Sequence, residues 1–124
     1  MITIATQPKP GSADIHDLFL DASGNLAMAR DAEAIGQHAR QRIMTYRGEW
    51  FLDIQVGVPW LQQIMGQSPV TRSVLAEAVI KTELFETRGV TGIDSFAISF
   101  DRIKRSLDSY NISVSTMFDS SAQL

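Results

Sequence analysis

The amino-acid sequence predicts a single α+β domain over residues 1–124. We expect a small antiparallel sheet, two long helices and one short helix packed on one face of the sheet, and a C-terminal β-hairpin. Two segments in the middle of the chain carry apolar residues at helical spacing, whereas the last third alternates apolar and polar residues as strands do. Strands and helices that occur in separate runs are typical of the α+β class. The length of 124 residues and the hydrophobic content of 44% suit one modest core.

The N-terminal quarter of the chain predicts strands and turns. Residues 1–13 are expected to form an arm, in which ITIAT (2–6) alternates as a short strand and QPKPGSAD (7–14) is a connecting loop. Residues 14–30 predict a hairpin, because apolar residues alternate on both sides of an Ala-Ser-Gly-Asn turn. These apolar residues are Leu18, Leu20, Leu26 and Met28.

The first long helix is predicted to begin at Asp31 and to end at Gly48. Aspartate is a good N-cap, and a left-handed glycine is a common end to a helix. Gly36 in mid-helix indicates close packing, since glycine there costs about 1 kcal/mol relative to alanine. The predicted core-facing stripe consists of Ile35, Ala39, Ile43 and Tyr46.

A short helix is predicted to start at Pro59, and a second long helix to run from Ser68 to Gly89. Serine is a good N-cap, and Pro69 suits the first helical position because proline has no N–H to satisfy. The predicted apolar stripe of the second long helix consists of Val70, Val74, Leu75, Ala78, Val79, Thr82 and Phe85.

The C-terminal third predicts a long hairpin with one apolar and one polar face. Residues 101–106 should form its turn, and residues 119–124 a flexible tail. The second strand is nearly uncharged, so its edge is expected to accept a strand from another chain. The apolar residues of the two strands are Ile93, Phe96, Ile98 and Phe100, then Leu107, Tyr110, Ile112, Val114 and Thr116.

Composition and charge exclude several classes of protein. The chain has no cysteine, which excludes disulfides and thiol catalysis. The net charge of -3 comes without a basic cluster, so nucleic acid is not an expected partner. No run approaches the roughly 18 apolar residues of a membrane span. The string around His16 favours a solvated polar loop over a metal site, and no metal or cofactor is expected.

The segment TYRGEWFLDIQVGVPW (45–60) is the main candidate for a functional site. Glu49 and Asp53 stand among aromatic residues, where one carboxyl could act as the general acid of a glycosidase that cleaves peptidoglycan. The glycines and proline around them predict extended or irregular backbone, however, so a spacing of four does not place both carboxylates on one helical face. The alternative is a structural or partner-binding segment.

The aromatic residues of this segment allow two interpretations. Trp50, Phe51 and Trp60 could all belong to the core, which is usual for large aromatic side chains. Aromatic residues beside Arg47 and a glycine turn also have the composition of a protein-binding hot spot. The two interpretations can share residues.

The order of these parts resembles the baseplate wedge proteins of contractile phage tails. The resemblance rests on D-L-F-L-D-x-x-G-N-L, then R-I-M-T-Y-R-G-E-W, then F-L-D-x-x-x-G-V-P-W, followed by a helix and a hairpin, and it covers about residues 17–117. These motifs look like those of the tail-lysozyme-like family, in the branch found in Mu-like phages. A related subunit occurs in the baseplate of type VI secretion systems.

The resemblance implies a non-enzymatic structural subunit of the virion tail baseplate, assembled in the host cytoplasm. Its implied partners are other wedge subunits, hub or tube proteins, and the tail sheath, with several copies per particle around a six-fold axis. The implied partner-binding residues are Arg47, Gly48, Glu49, Trp50 and Asp53. The implied sheath-binding strand comprises Leu107, Tyr110, Asn111, Ile112, Ser113, Val114, Ser115, Thr116 and Met117.

One motif departs from the family pattern. Many members carry a Glu-Pro-Arg tripeptide at the end of the first long helix, which grips the helical core of neighbouring wedge subunits. Glu49 matches the glutamate, whereas Trp50 and Phe51 stand where proline and arginine would be. We therefore expect Trp50 or Arg47 to replace the arginine contact.

Overall fold

The computed structural model describes residues 1–101 and 106–124, with side chains at all of these positions except 12–15, 69, 101 and 106–109. The α+β class and the three helices predicted from the sequence are confirmed. The elements are β1 Ile2–Ile4, β2 Thr6–Lys9, β3 Ser12–Leu18, β4 Met28–Arg30, α1 Asp31–Met44, a π-helical turn Trp60–Ile64, α2 Pro69–Glu86, β5 Val90–Asp101, β6 Ser106–Thr116 and β7 Ser121–Gln123. The centre of the predicted hairpin turn, 102–105, lies outside the described residues.

The C-terminal sheet is antiparallel with the order β5-β6-β7. Its register places Ile93 opposite Val114 and Phe96 opposite Ile112, with a register shift between Ile93 and Ser95. Ile112 and Val114 are buried against the helices, while Asn111 on the opposite face is exposed. The period of two in the sequence therefore separates a helix-covered face from a polar face.

The C-terminal residues are a strand, so the prediction of a flexible tail over 119–124 is wrong. Residues 121–123 pair with 113–115 of β6, and the Leu124 N–H donates to the Ile112 carbonyl at 3.0 Å. Ala122 is buried against Gly36 of α1, and a Cβ added to that glycine would lie 2.8 Å from the Ala122 Cβ. The close packing predicted at Gly36 is thus confirmed, and its partner is β7.

The N-terminal arm also forms more strand than the sequence predicts. The strand predicted at residues 2–6 is present at residues 2–4, which pair with β4, whereas Thr6 and residues 7–9 of the predicted loop pair with β3. The predicted turn is present, with Leu20 bridged to Leu26, but the arms of the predicted hairpin pair mainly with β2 and β1 and not with each other. Gln37 of α1 holds the break between β1 and β2, because its amide donates to the Ile4 carbonyl and accepts from the Thr6 N–H.

Helix α1 covers the predicted segment with different ends. Asp31 is its first residue rather than its N-cap, has φ +50, and uses its carboxylate to pair with the Met1 amine at 3.2 Å. The helix ends at Met44, since Thr45 has extended backbone angles (φ -79, ψ 132), and the Thr45 N–H and hydroxyl both donate to the Gln41 carbonyl. Ile35, Ala39 and Ile43 are buried as predicted, whereas Tyr46 of the predicted stripe lies beyond the helix and is exposed.

Helix α2 buries a different face from the one predicted. Val70, Val74 and Phe85 of the predicted stripe are exposed, whereas the buried residues include Ala76, Ile80 and Leu84. Both sets recur at helical spacing, so apolar residues occur all round this helix and the period alone does not select a face. The helix ends at Glu86, before the predicted Gly89.

One hydrophobic core joins α1, α2, the π-helical turn and the C-terminal sheet. Trp60 is part of this core, and its indole N–H donates to the Ile43 carbonyl at 2.9 Å. A second, smaller cluster under the N-terminal strands is built from Ala5, Ala27, Ala29 and Ala34. Among the described residues, no helix has the length and apolar character that crossing a membrane requires.

Candidate partner-binding surfaces

Residues 45–58 form a closed loop, here called the elbow, between α1 and the π-helical turn. Its two ends pair with each other, because the Val58 N–H donates to the Thr45 carbonyl at 2.9 Å and the Arg47 N–H to the Val58 carbonyl at 3.1 Å. Gly57 has φ +106, and a Cβ there would overlap the Thr45 carbonyl oxygen. Only glycine fits this position without strain, so the ends of the elbow are tightly fixed.

A buried carboxylate of α2 holds the base of the elbow. Glu83 is fully buried and accepts hydrogen bonds from the Arg42 Nε at 3.0 Å and the Gly57 N–H at 2.9 Å. The Arg42 Nη2 lies 2.8 Å from the same oxygen, Oε1. The second oxygen, Oε2, has no hydrogen bond, and the Arg47 Nη2 at 3.6 Å from it supplies an electrostatic contact only. One anion therefore ties two arginines and the loop backbone to α2.

The tip of the elbow, residues 49–54, is exposed throughout. It carries four large apolar side chains: Trp50, Phe51, Leu52 and Ile54, with Phe51 84% exposed. The structure thus separates the aromatic residues, since Trp60 lies in the core while Trp50 and Phe51 lie on the surface. Adjacent exposed apolar side chains on a fixed loop are typical of a protein-binding surface.

The five predicted partner-binding residues lie together in the elbow, but in two roles. Glu49 and Trp50 are exposed at its tip, and Gly48 joins the tip to the stem through its N–H, which donates to the Ile54 carbonyl at 3.0 Å. Arg47 lies at the base, where its Nε donates to the Gly57 carbonyl at 3.1 Å. The Asp53 carboxylate accepts the Gln55 N–H at 3.0 Å. Arg47 and Asp53 therefore shape the elbow, and Glu49 and Trp50 face outward.

The geometry of the two carboxylates gives the glycosidase alternative no support. Glu49 and Asp53 are both exposed, in a stretch of turns that fits the irregular backbone predicted for this segment. A general acid of a glycosidase sits in an apolar, water-excluded pocket, and neither exposed carboxyl lies in one. Glu49 and Trp50 instead border an open depression of about 390 Å³ with Arg42 and His38.

The two histidines lie apart from each other. His16 is in β3, opposite Pro8, and partial burial and the charge of Arg40 lower its pKa. His38 of α1 is half-buried, and burial and then the charge of Arg42 lower its pKa below 6.5. In the part of the chain that the structure describes, no three His, Asp or Glu side chains are grouped as metal ligands.

The predicted sheath-binding strand is the central strand of its sheet, which corrects the expectation of a fully open edge. Along one side, β6 pairs with β5 over its whole length. Along the other side, Ser113, Val114 and Ser115 pair with β7, and the Thr116 N–H donates to the Ser120 carbonyl at 3.0 Å. Met117 lies beyond the strand, with its N–H bonded to the Gly89 carbonyl.

Two strand edges of this sheet have no strand partner within residues 1–101 and 106–124. One is the outer edge of β5, and the other is the part of β6 from Ser106 to Asn111 on the side of β7. Because the Ile112 carbonyl faces β7, the alternation of an antiparallel ladder places the backbone N–H and C=O of Tyr110 on the same edge. The predicted strand therefore keeps an open edge in its first half, which includes Leu107 and Tyr110.

Polar side chains fasten the three strands on the exposed face. The Asp94 carboxylate of β5 accepts hydrogen bonds from the Ser115 hydroxyl of β6 and, at 2.5 Å, from the Ser121 hydroxyl of β7. These two bonds lower the pKa of Asp94. The Gln123 amide also donates to the Asn111 side chain at 2.9 Å. β7 is thus held by side chains as well as by its short ladder.

Glu83 is the site residue that the sequence analysis missed. It falls between Thr82 and Leu84 on a helix whose buried face was wrongly assigned, and a glutamate in a helix is usually exposed. The available signal was the pair of arginines at the end of the first helix. Arg42 and Arg47 require a counterion if they lie beneath a loop.

The fold and these surfaces define a class of protein: a small α+β domain with a closed elbow whose tip is partly apolar, and with a sheet that has open strand edges within the described residues. The chain matches the model of the contractile injection system sheath initiator family over residues 11–119, most of its length. The chain therefore belongs to this family. It is a structural component of a contractile tail, with a role in sheath assembly together with sheath and baseplate components.

The family match confirms the contractile-tail baseplate interpretation of the sequence. It covers both the elbow and the β5–β6 hairpin, but not the first ten residues, which include β1. No individually curated protein matches the chain.

Proposed function

We propose that this protein links wedge subunits of a contractile-tail baseplate to the hub or tube region, and that its C-terminal sheet templates the first sheath strand. Membership of the sheath initiator family supports the second part most directly. The strand edge that β6 leaves open beside β7 is the observation that gives it a site. The Mu-like branch, the tail-lysozyme-like grouping and a six-fold copy number stay predictions.

In this proposal, a sheath strand pairs with β6 along the edge from Ser106 to Asn111. Unpaired N–H and C=O groups on a strand edge bind an extended segment of another chain through main-chain hydrogen bonds. The Tyr110 N–H faces this edge, while its hydroxyl accepts a hydrogen bond from the Arg40 Nε at 3.1 Å. Tyr110 is therefore fixed to α1 at its side chain, while its backbone N–H has no strand partner within the described residues.

The test of the template is Tyr110→Pro, with Tyr110→Phe as the matched control. Proline removes the outward N–H and leaves the ladder with β5 intact, whereas phenylalanine removes only the hydroxyl bond. Circular dichroism must show both variants folded. We expect baseplates with Tyr110→Pro to assemble without sheath in electron micrographs, and those with Tyr110→Phe to carry sheath. Normal sheath on folded Tyr110→Pro baseplates would contradict the use of this edge.

The elbow tip is proposed to bind the neighbouring wedge subunits. Trp50 and Phe51 provide apolar area, and Glu49 provides a carboxylate for charge-assisted hydrogen bonds to a partner arginine or backbone. The Arg47 guanidinium is engaged with Gly57 and Glu83, so Trp50 is the better candidate for the position of the family's arginine. The high exposure of Phe51, at 84%, favours a surface for another protein over a folding role.

Co-purification with wedge proteins tests the elbow. Glu49→Ala and Phe51→Ala should leave the melting temperature unchanged, because both side chains are exposed, but should reduce the recovery of wedge subunits. The control is Phe85→Ala, an equally apolar change at an exposed position of α2. Equal recovery with all three variants would refute the elbow as the wedge contact. A large loss of thermal stability in Glu49→Ala would instead show that Glu49 is a structural residue.

A further inference from the structure

The N-terminal strands form a ribbon that is apolar on both faces. Its inner face, with Ala5, Ala27 and Ala29, packs on Ala34 of α1 and forms the smaller core cluster. Its outer face carries five large apolar side chains that are between 40% and 66% exposed. These residues are Ile2, Ile4, Leu20, Leu26 and Met28. A strand pair with only one covered side normally alternates apolar and polar residues, so this ribbon lacks the usual polar face.

The five side chains lie side by side because of the strand register. Ile4 is opposite Met28 in the β1–β4 pair, and Leu20 is bridged to Leu26 at the neck of the turn. Residues two apart along a strand share a face, which joins Ile4 to Ile2 and Met28 to Leu26. The exposed residues therefore form one continuous surface, here called the ribbon face. A contiguous exposed apolar surface is typical of an interaction site.

The ribbon face is held in shape before any partner binds. The Asp21 carboxylate accepts the N–H groups of Ser23 and Asn25 at 2.8 and 3.0 Å, which fixes the turn beyond Leu20. The Asp31 N–H donates to the Met1 carbonyl at 2.8 Å, which fixes the other end. A preorganised surface loses little conformational entropy on binding.

Charge around the ribbon face indicates what covers it. The Met1 amine is paired with Asp31, and Lys9 with Asp17. Arg30 lies opposite Ile2 and so on the same face, is exposed, and has no ion pair within the described residues. The surface that complements this face is thus apolar and uncharged at its centre, with a carboxylate at the margin that meets Arg30.

We propose that the ribbon face docks on another protein of the tail, through an apolar strand or helix surface bordered by a carboxylate. This inference rests on the chain being a tail component, but it uses neither the elbow nor the C-terminal sheet. β1 lies outside residues 11–119 of the family match, so half of this strand pair belongs to the part of the chain that the family model does not cover. The contact would add a third surface to the two proposed above.

Met28 is a built-in probe of this contact, because an exposed methionine is oxidised to its sulfoxide by peroxide and a covered one is protected. We would measure Met28 oxidation by mass spectrometry in the isolated chain at several concentrations and in purified tails. The proposal expects several-fold slower oxidation in tails than in the isolated chain. Equal rates would overturn it, and protection that increases with concentration in the isolated chain would show a second copy as the occupant. Absence of the chain from purified tails would refute the proposed function itself.

Substitutions test the chemistry of the same contact. Leu20→Gln should fold with an unchanged melting temperature but be poorly incorporated into tails, whereas the control Val74→Gln, at an equally exposed position of α2, should be incorporated normally. Arg30→Glu should be poorly incorporated and Arg30→Lys normally, since lysine keeps the charge. Normal incorporation of Leu20→Gln would overturn the docking surface. Normal incorporation of Arg30→Glu would overturn the carboxylate assigned to the partner.

Discussion

Glu83→Ala is the substitution that most directly tests the support of the elbow. The Glu83 carboxylate is fully buried, and its loss would leave the Arg42 guanidinium, whose side chain is 15% exposed, with only the exposed Glu86 carboxylate at 3.7 Å as a counterion. The Gly57 N–H would also lose its acceptor. Removing one partner of a buried ion pair costs about 3–5 kcal/mol, because the remaining charge stays desolvated. That is a large share of the roughly 5–15 kcal/mol by which domains of this size are stable.

The assay is urea unfolding followed by circular dichroism, with tryptophan fluorescence as a second probe. Glu83→Gln should lose less stability than Glu83→Ala, because its amide oxygen can still accept the Gly57 N–H. The matched control is Glu77→Ala, which removes an exposed pair with Lys81 at 2.6 Å on the same helix. An exposed pair four residues apart contributes only about 0.3–0.5 kcal/mol. If Glu83→Ala cost less than about 1 kcal/mol, in the range of ordinary surface changes, the assignment of Glu83 as the anchor of the elbow would be wrong.

Three further changes test the packing of the elbow, of β7 and of α1. Gly57→Ala should lower the free energy of unfolding by about 2–3 kcal/mol, because alanine would have a positive φ and its Cβ would overlap the Thr45 carbonyl. An unchanged midpoint of urea unfolding would contradict the described turn. Gly36→Ala should lower the free energy of unfolding by about 1–3 kcal/mol, because the added methyl group would overpack against Ala122, and hydrogen exchange in β7 should become faster. An increase in stability would show that β7 can shift to make room for the methyl group. Because burial lowers the pKa of His38, the unfolded chain binds a proton more readily, and stability should fall as the pH drops below 6.5. Melting curves of His38→Gln should lack this part of the pH dependence, and an unchanged pH profile would show that His38 does not contribute it.

The parts of the fold that the sequence predicts well are those with an unambiguous period. Apolar and polar residues alternate over most of the β5–β6 hairpin, so its strands and its inward face, with Ile112 and Val114, were assigned correctly, although register shifts interrupt the ladder. Helix α1 has one apolar stripe, and Ile35 and Ile43 are buried as expected. A single stripe leaves only one way to bury the apolar area of an element, so periodicity is sufficient there.

Helix α2 shows where periodicity is not sufficient. Its apolar residues occur all round, and the face with Ala76, Ile80 and Leu84 is buried in preference to the one with Val74 and Phe85. The choice depends on the shape of the surface formed by α1 and the sheet, which no local pattern contains. Glu83 lies on the face of α2 that is buried, so the packing of this helix also places its carboxylate beside Arg42 beneath the elbow.

The sequence by itself determined the class of fold, the two main helices, the hairpin and the location of the elbow, because these depend on local periodicity and on glycine and proline positions. It also carried the resemblance to a contractile-tail component, which the family match confirms at the level of a sheath initiator. The tertiary structure decided which aromatic residues are exposed, which edge of β6 is open, and that residues 121–123 form a strand. Those features depend on contacts between residues distant in sequence, such as Gly36 with Ala122 and Arg42 with Glu83. A pattern read along the chain does not encode which distant partners meet.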